Sequence, residues 1–558
     1  EKWRYVEAAQ LSDIAFKFQE KRDPINYVSM LSSKMQRYPV AEVLRADYVM
    51  SEFDAGLVAD VAAQLTPDNM LVSLTAPEVE GDRLSLMYQT PYSVAAIAEP
   101  QLAKWRSPTE FAELALPTAN PYIPADLGLI EPAKDVTVPQ LIVSNKQVTA
   151  WHFPDTRYGV PKAHIIVSLQ TPGIDTPEAF AALELYLAYI EDQLGASVYP
   201  AREAGLSFSL SPSNKGVSIT VGGYSDKQAT LLGDILVALS NPAWDASRFE
   251  RIKQSLSRDM NNFAREYPFR QVVASLYSMI KGDWTPLQKA DAVAQLSMPQ
   301  MASFADNLLG NLSLDVLISG NHDRQSADKL VASLSSWTLL KEVQVDERVA
   351  KLPLGEQRGQ VSVDHSDAAV MLYMQGREDS LAERAHMLLL GEMLSSPFYT
   401  SLRTEKQLGY VVAAFASNHL RVPGLAMIVQ SPSADEAALQ AEFKQFLSAY
   451  SEQVEGMTAE DLARYKASVL SNLQESPKNL SELNGRFIES VALGYTDFDF
   501  REQLAEEVAL ASVESLLAAY SAVTDTELRA LAVETVDAGQ DSTLVDLRKK
   551  GSVYGYQF

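Results

Sequence analysis

One segment of this chain is richer in reactive groups than its surroundings: SSPFYTSLRTEKQLGYVVAAF, residues 395–415. Arg403 and Tyr410 flank the end of a helix pattern and the start of a strand pattern there. Arginine presents a fork of N–H donors suited to a carbonyl or carboxylate. A tyrosine phenol can donate to an oxyanion as it develops. On pattern alone the plainer reading is a surface arginine and a packed tyrosine at a glycine turn.

Other catalytic frames are absent. The six histidines are His152, His164, His322, His365, His386 and His419. None forms a His-x-x-Glu-His pair or its inverse, the one-turn spacing that brings two ligands to one metal from one helix face. All six read as structural residues. There is no Gly-x-Ser-x-Gly elbow, no Walker loop and no Gly-x-Gly-x-x-Gly after a strand. VGGYSDKQ, 221–228, reads as a Gly-Gly turn into a helix with Ser225 or Asp226 as cap, a weak anion site at most.

The totals narrow the classes further. The 558 residues suggest three to four domains at roughly 150 residues each. Hydrophobic residues make up 47% and charged residues 21%, which a globular chain has and a disordered one lacks. With 47 Lys and Arg against 72 Asp and Glu, the formal charge is −25. Such a surface repels phosphate backbones, so nucleic acid is a poor partner. No apolar run approaches the roughly 18 residues of a membrane span. Cysteine is absent, which removes disulfides and thiolate chemistry and fits an oxidising periplasm.

The elements that must position these residues repeat. AHIIVSLQ at 163–170 and AAVMLYMQ at 368–375 each end in glutamine and lead into a helix. The first helix carries Phe180, Leu183, Leu187, Ile190 and Leu194 at helical spacing and starts at Thr176-Pro177. The second opens Ser380-x-x-Glu383, a capping-box pattern. Each helix ends at a glycine, Gly205 or Gly409, before a strand. A second strand follows from Gly216 or Gly424, giving antiparallel hairpins with longer loops, and then a second helix from about Lys227 or Asp435.

The back of this unit occurs three times: helix up to Pro24, Pro268 or Pro477, more helix, then a strand at 69–74, 314–320 or 528–534. Two whole units and one back half are therefore expected. The chain opens Glu1-Lys2-Trp3-Arg4-Tyr5, without Met or a signal-like region, so either a leader was removed or this is the back part of a longer protein. The unmatched back half leads us to expect a start inside a domain, the plainer alternative being that 1–118 is a different helical domain. The expected organisation is 1–118, a truncated helical domain; 119–142, a linker within a stretch carrying five prolines at 116–139; 143–345, a whole unit; and 346–558, a second whole unit carrying Arg403 and Tyr410.

FYTSLRTEKQLGYVV closely resembles the last domain of the insulin-degrading enzyme and pitrilysin family of inverzincin-type zinc peptidases (M16). NFAREYPFRQ, GGYSDKQATLL, AREAGLSFSL, LISGN and MQRYPVAEVL resemble that family too, in order along essentially the whole chain. The resemblance implies an α+β fold of tandem repeated αβ domains, antiparallel sheets packed with helices, of the LuxS and processing-peptidase type. It implies the C-terminal half of a bacterial enzyme whose two halves close around a chamber, joined by a hinge that 116–139 matches.

In that family the zinc site lies in the first domain, so the resemblance implies zinc in the complete enzyme and none held by this chain. Arg403 and Tyr410 match the residues that reach the scissile peptide and help stabilise the tetrahedral intermediate, and Phe398 matches an aromatic residue lining the same pocket. The implied partners are peptide substrates and the missing N-terminal catalytic half, with a homodimer possible, in the periplasm. The chain alone is expected to be inactive. A second expectation, from a different class, is a non-catalytic relative serving as scaffold or partner subunit.

Overall fold

The computed structural model describes residues 2–109, 114–133, 135–526 and 528–557. They form two compact units, 1–17 with 30–123 and 18–29 with 124–558.

The first unit holds the helices Lys2–Lys17, Ala55–Ala62 and Glu99–Arg106 and a two-residue hairpin, Arg83–Leu84 with Pro91–Tyr92. Among its described hydrophobic residues only Ile14, Val43 and Tyr122 are buried. The strand expected at 69–74 is not formed; a short 3-10 turn, Pro67–Asn69, runs into extended chain with Leu71 92% exposed. An extended segment becomes a strand only when a neighbour takes its N–H and C=O groups, and no described strand lies beside this one.

The second unit is built on two sheets. The first comprises β1 (Gln140–Ser144), β2 (Val148–Pro154), β3 (Lys162–Gln170), β4 (Leu206–Ser213), β5 (Gly216–Tyr224) and β6 (Ser313–Gly320), in the order β1-β2-β6-β3-β5-β4. Its helices include α1 (Pro177–Glu203), α2 (Gln228–Ser240) and α3 (Pro268–Lys281). The second sheet comprises β7 (Gly355–Val363), β8 (Ala368–Gln375), β9 (Val411–Ala416), β10 (Gly424–Ser431) and β11 (Arg529–Asp537), in the order β7-β11-β8-β10-β9. Its helices include α4 (Leu381–Tyr399), α5 (Glu436–Glu455) and α6 (Leu480–Ala492).

The α+β repeat is thus present twice, with one parallel pair in each otherwise antiparallel sheet, β2 with β6 and β7 with β11. The registers match: Gln170 pairs with Gly216, and Gln375 with Gly424.

Local chemistry explains the boundaries. The Thr176 hydroxyl accepts the Ala179 N–H at 3.2 Å, and Pro177 takes the first turn, where no N–H is needed. Of the expected stripe, Leu183, Leu187, Ile190 and Leu194 are buried along α1 and Phe180 is half-buried. Two expectations change. The β4–β5 hairpin closes with only Asn214 and Lys215 between its strands, a tight loop rather than a longer one. Gly222 and Gly223 lie inside β5, not in a turn; a Cβ on Gly223 would come 2.2 Å from the Gly205 carbonyl oxygen.

The prolines start helices that cross between the repeats. Pro268 opens α3, which lays Val272, Leu276 and Met279 on Met371, Tyr373, Leu531 and Val533 of the second sheet. After Pro477, Asn479 caps α6, which lays Leu480, Leu483 and Phe487 on Trp151, Phe153, Ile166 and Leu317 of the first sheet. Each sheet therefore has one face covered by a helix of the other repeat, and the two repeats share one compact unit.

Candidate functional site

α4 delivers the segment of interest. The Ser380 hydroxyl accepts the Glu383 N–H at 3.1 Å. The expected capping box is only half made, because the Glu383 carboxylate turns instead to Arg377, 2.7 Å from its Nη2. Burial alone would raise the Glu383 pKa, but hydrogen bonds from His386 and Arg377 hold it down to about 2.

Near its other end α4 contains Pro397, which has no N–H for the Met393 carbonyl one turn back. The Tyr450 hydroxyl of α5 donates to that carbonyl at 3.3 Å and fills the gap. The helix then widens into a π-turn, Thr400–Glu405, which carries Arg403. The Lys406 N–H bonds to the Ser401 carbonyl and the Leu408 N–H to that of Leu402, both at 3.0 Å. Lys406 is also ion-paired with Glu442 on α5.

Gln407 follows with φ +53°, and the chain then presses against β10. A Cβ on Gly409 would lie 1.8 Å from the Gln430 carbonyl oxygen, so only glycine passes. Tyr410 comes next, directly before the edge strand β9, and is 85% exposed. The Arg403 guanidinium carbon sits 5.3 Å from the centre of the Tyr410 ring, in the cation–π range. The Arg403 Nε has no hydrogen-bond partner among the described residues. Two sequence-expected residues thus meet at one edge of the second sheet, one with a buried, unpartnered Nε and the other with its ring exposed.

Phe398 is not beside them. Its ring is completely buried, 5.1 Å from Phe446 and 5.7 Å from Phe443. The position expected to line a substrate pocket is a core position in this structure, supporting the turn from below. The reason is helical phase: Phe398 shares its face with Leu394 and Leu402, both buried.

The histidines take separate local partners. His152 Nε2 lies 2.9 Å from the His322 carbonyl, and His322 Nε2 lies 2.9 Å from Gln228 Oε1. His386 Nε2 lies 3.0 Å from the Ser515 hydroxyl, and His164 Nε2 is 3.4 Å from that of Ser481. His365 Nδ1 accepts the Asp367 N–H at 2.9 Å, and His419 packs against the rings of Tyr373 and Tyr277. Among the described residues no three His, Asp or Glu side chains converge as a metal site, so this donor set does not fit zinc. Neither Ser225 nor Asp226 caps the helix that follows 221–228; Asp226 instead accepts the Ala125 N–H at 2.8 Å. Among the described residues no single helix is long and apolar enough to cross a membrane.

What the sequence did not reveal is the support of the pair. The steric demand at Gly409 and the Tyr450–Met393 bond both depend on residues distant in sequence. The only local signals were a glycine at a strand start and a proline inside a helix.

Residues 16–292 match the model for the middle or third domain of peptidase M16, and residues 389–488 match that for the C-terminal lobe domain 4 of PqqF-like PQQ synthase. Human insulin-degrading enzyme is 29% identical over 499 residues, which is 86% of this chain and 49% of that protein. Protease 3 of Escherichia coli O6:H1 is 26% identical over 531 residues, 92% of this chain and 54% of that one. The chain therefore spans about half the length of these relatives. The crystal structure of pitrilysin superposes with a TM-score of 0.81 at 20% identity, covering 100% of this chain and 61% of that one. A peptidase M16 inactive domain from Pseudomonas fluorescens shares the fold over 72% of this chain, with a TM-score of 0.54. The fold is that of pitrilysin, and with two family models along the chain and long relatives in order, this chain belongs to the M16 peptidases of the insulin-degrading enzyme and pitrilysin type.

Proposed function

We propose that this chain is the C-terminal, substrate-chamber half of a zinc metalloendopeptidase that degrades peptides and small unfolded proteins. The observation that carries this reading is the Arg403–Tyr410 pair: a guanidinium held over an exposed ring, with its Nε unpartnered. In this role the Arg403 fork binds the carbonyl of the bound peptide. The Tyr410 phenol donates to the oxygen that gains charge as that carbonyl becomes tetrahedral. In this reading the zinc, which would activate the attacking water, is held by the N-terminal half that completes the enzyme. The working division is 1–118, the end of a second domain; 119–142, a hinge; 143–345, a third domain; and 346–558, a fourth. A periplasmic location is part of the same reading, supported by the absence of cysteine.

The test is reconstitution. The chain alone is expected to hold no stoichiometric zinc and to cleave no peptide. Supplied with the missing half it should cleave, and Arg403→Ala or Tyr410→Phe should then lower kcat by about tenfold or more. Unchanged rates in both reconstituted variants would remove Arg403 and Tyr410 from the reaction.

A further inference from the structure

The two repeats treat one corner of their sheets differently. In the second sheet, Gln375 ends β8 and captures an extended segment of backbone. Its Oε1 accepts the Leu352 N–H and its Nε2 donates to the Ala350 carbonyl, both at 2.9 Å. Arg529 adds a bond to the Leu352 carbonyl. Val349, Ala350 and Leu352 are buried there, in the corner whose sheet floor carries Tyr373 and Leu531.

Gln170 holds the equivalent place in the first sheet, since each glutamine ends its strand opposite the first glycine of the next. Its side chain is buried and bonds to Asp315 rather than to a backbone segment. A cavity of about 220 Å³ lies at this corner instead, walled by Trp151, Ile166, Leu317, Ile488 and Val491, with Asp315 in its floor. By register, Ser168 and Asp315 stand where the second sheet has Tyr373 and Leu531. An apolar floor has become one with a carboxylate. Gln170 and Thr149 donate to Asp315, and the Lys215 ammonium at the rim also acts on its charge. Lys215 at the rim is paired with Glu347 at 2.7 Å.

We propose that this cavity binds an extended peptide segment carrying an ammonium group. Gln170 takes the backbone as Gln375 does in the other repeat, Asp315 takes the ammonium, and the apolar wall takes a neighbouring side chain. The ammonium can be a peptide N-terminus or a lysine. Burial pushes the Asp315 carboxyl up to about 6, so at neutral pH it is an ionised group in a poorly solvated place, which a bound cation relieves. This inference does not depend on the catalytic reading, because binding is measured on the chain by itself.

The test uses the sequence that fills the other corner, Val-Ala-Lys-Leu-Pro, as a synthetic amide. Four forms are titrated by calorimetry: free or acetylated at the N-terminus, with Lys or Gln at the third position. At least one cationic form should bind about tenfold or more tighter than the acetylated Gln form. Preference for the free amine identifies a peptide N-terminus as the ligand, and preference for Lys identifies a side chain. Asp315→Asn should abolish the preference, and Gln170→Ala should weaken every bound form. Asp315→Leu, which installs the residue of the other repeat, asks the same question if the Asn variant does not fold. No binding of any form at millimolar peptide, or a cation preference that survives replacement of Asp315, would overturn the proposal.

Discussion

Arg403 and Tyr410 lie seven positions apart, and a plain helix followed by a plain strand would not bring them together. A π-turn, a positive φ at Gln407 and a glycine pressed on Gln430 do so. The pattern alone favoured a surface arginine and a packed tyrosine; the two residues stood out only through the family resemblance of LRTEKQLGY, and their contact depends on the turn between them. Phe398 was misplaced because an aromatic residue next to a proline reads the same whether its ring turns inward or outward. The support beneath the turn gives a sharp prediction. Tyr450→Phe leaves the Met393 carbonyl without its donor and should cost about 1–2 kcal/mol. Pro397→Ala restores a backbone N–H in the same place, so in that background the Tyr450 change should cost much less. A denaturant-unfolding cycle measures the coupling. Equal costs in both backgrounds would show that the hydroxyl does not substitute for the missing N–H.

At the scale of elements, the repeat was readable from period and punctuation. Apolar strand runs and glycines at helix ends recur in two copies, and each copy's first helix has its own start signal, Thr-Pro in one and Ser-x-x-Glu in the other. What these signals cannot contain is the partner of a face. The run at 69–74 is as strand-like in composition as 314–320, yet it forms no ladder, because strand pairing is non-local. The prolines at 268 and 477 marked helix starts, but not that each helix crosses to the other sheet. That exchange makes a prediction. Phe487 lies on α6 with its ring 5.0 Å from Phe153 of β2, so it belongs to one repeat in sequence and to the other in packing. Phe487→Ala should cost about 3–5 kcal/mol. The two repeats should still unfold in one calorimetric transition, as reciprocal packing requires. Two resolved transitions, with only the second repeat shifted, would mean that the crossing helix does not couple them.

At the scale of the whole molecule, the net charge of −25 argues against nucleic acid as a partner but says little about how the fold responds to acid. The buried histidines say more. Burial lowers His419, packed on Tyr373 and Tyr277, to about 3, and lowers His322, beside His152, to about 4. His152 and His164 move in the same direction for the same reason. In the unfolded chain these groups take up protons near pH 6.5, whereas folded they stay neutral to much lower pH. The unfolded state therefore binds more protons in that window, and stability falls as pH drops. Asp315 acts in the opposite sense: its folded pKa of about 6 lies above the unfolded value, so the native state binds the extra proton between about 4 and 6 and regains some stability there. From pH 7 to 5, His419 and His322 together lose about 4 kcal/mol and Asp315 returns about 1, leaving a net fall of about 3 kcal/mol. Urea midpoints at the two pH values measure this. Asp315→Asn should deepen the fall, because it removes only the compensating group. A midpoint that does not move between pH 7 and 5, or an Asn variant less sensitive to acid than the native chain, would show that these buried groups do not govern the response.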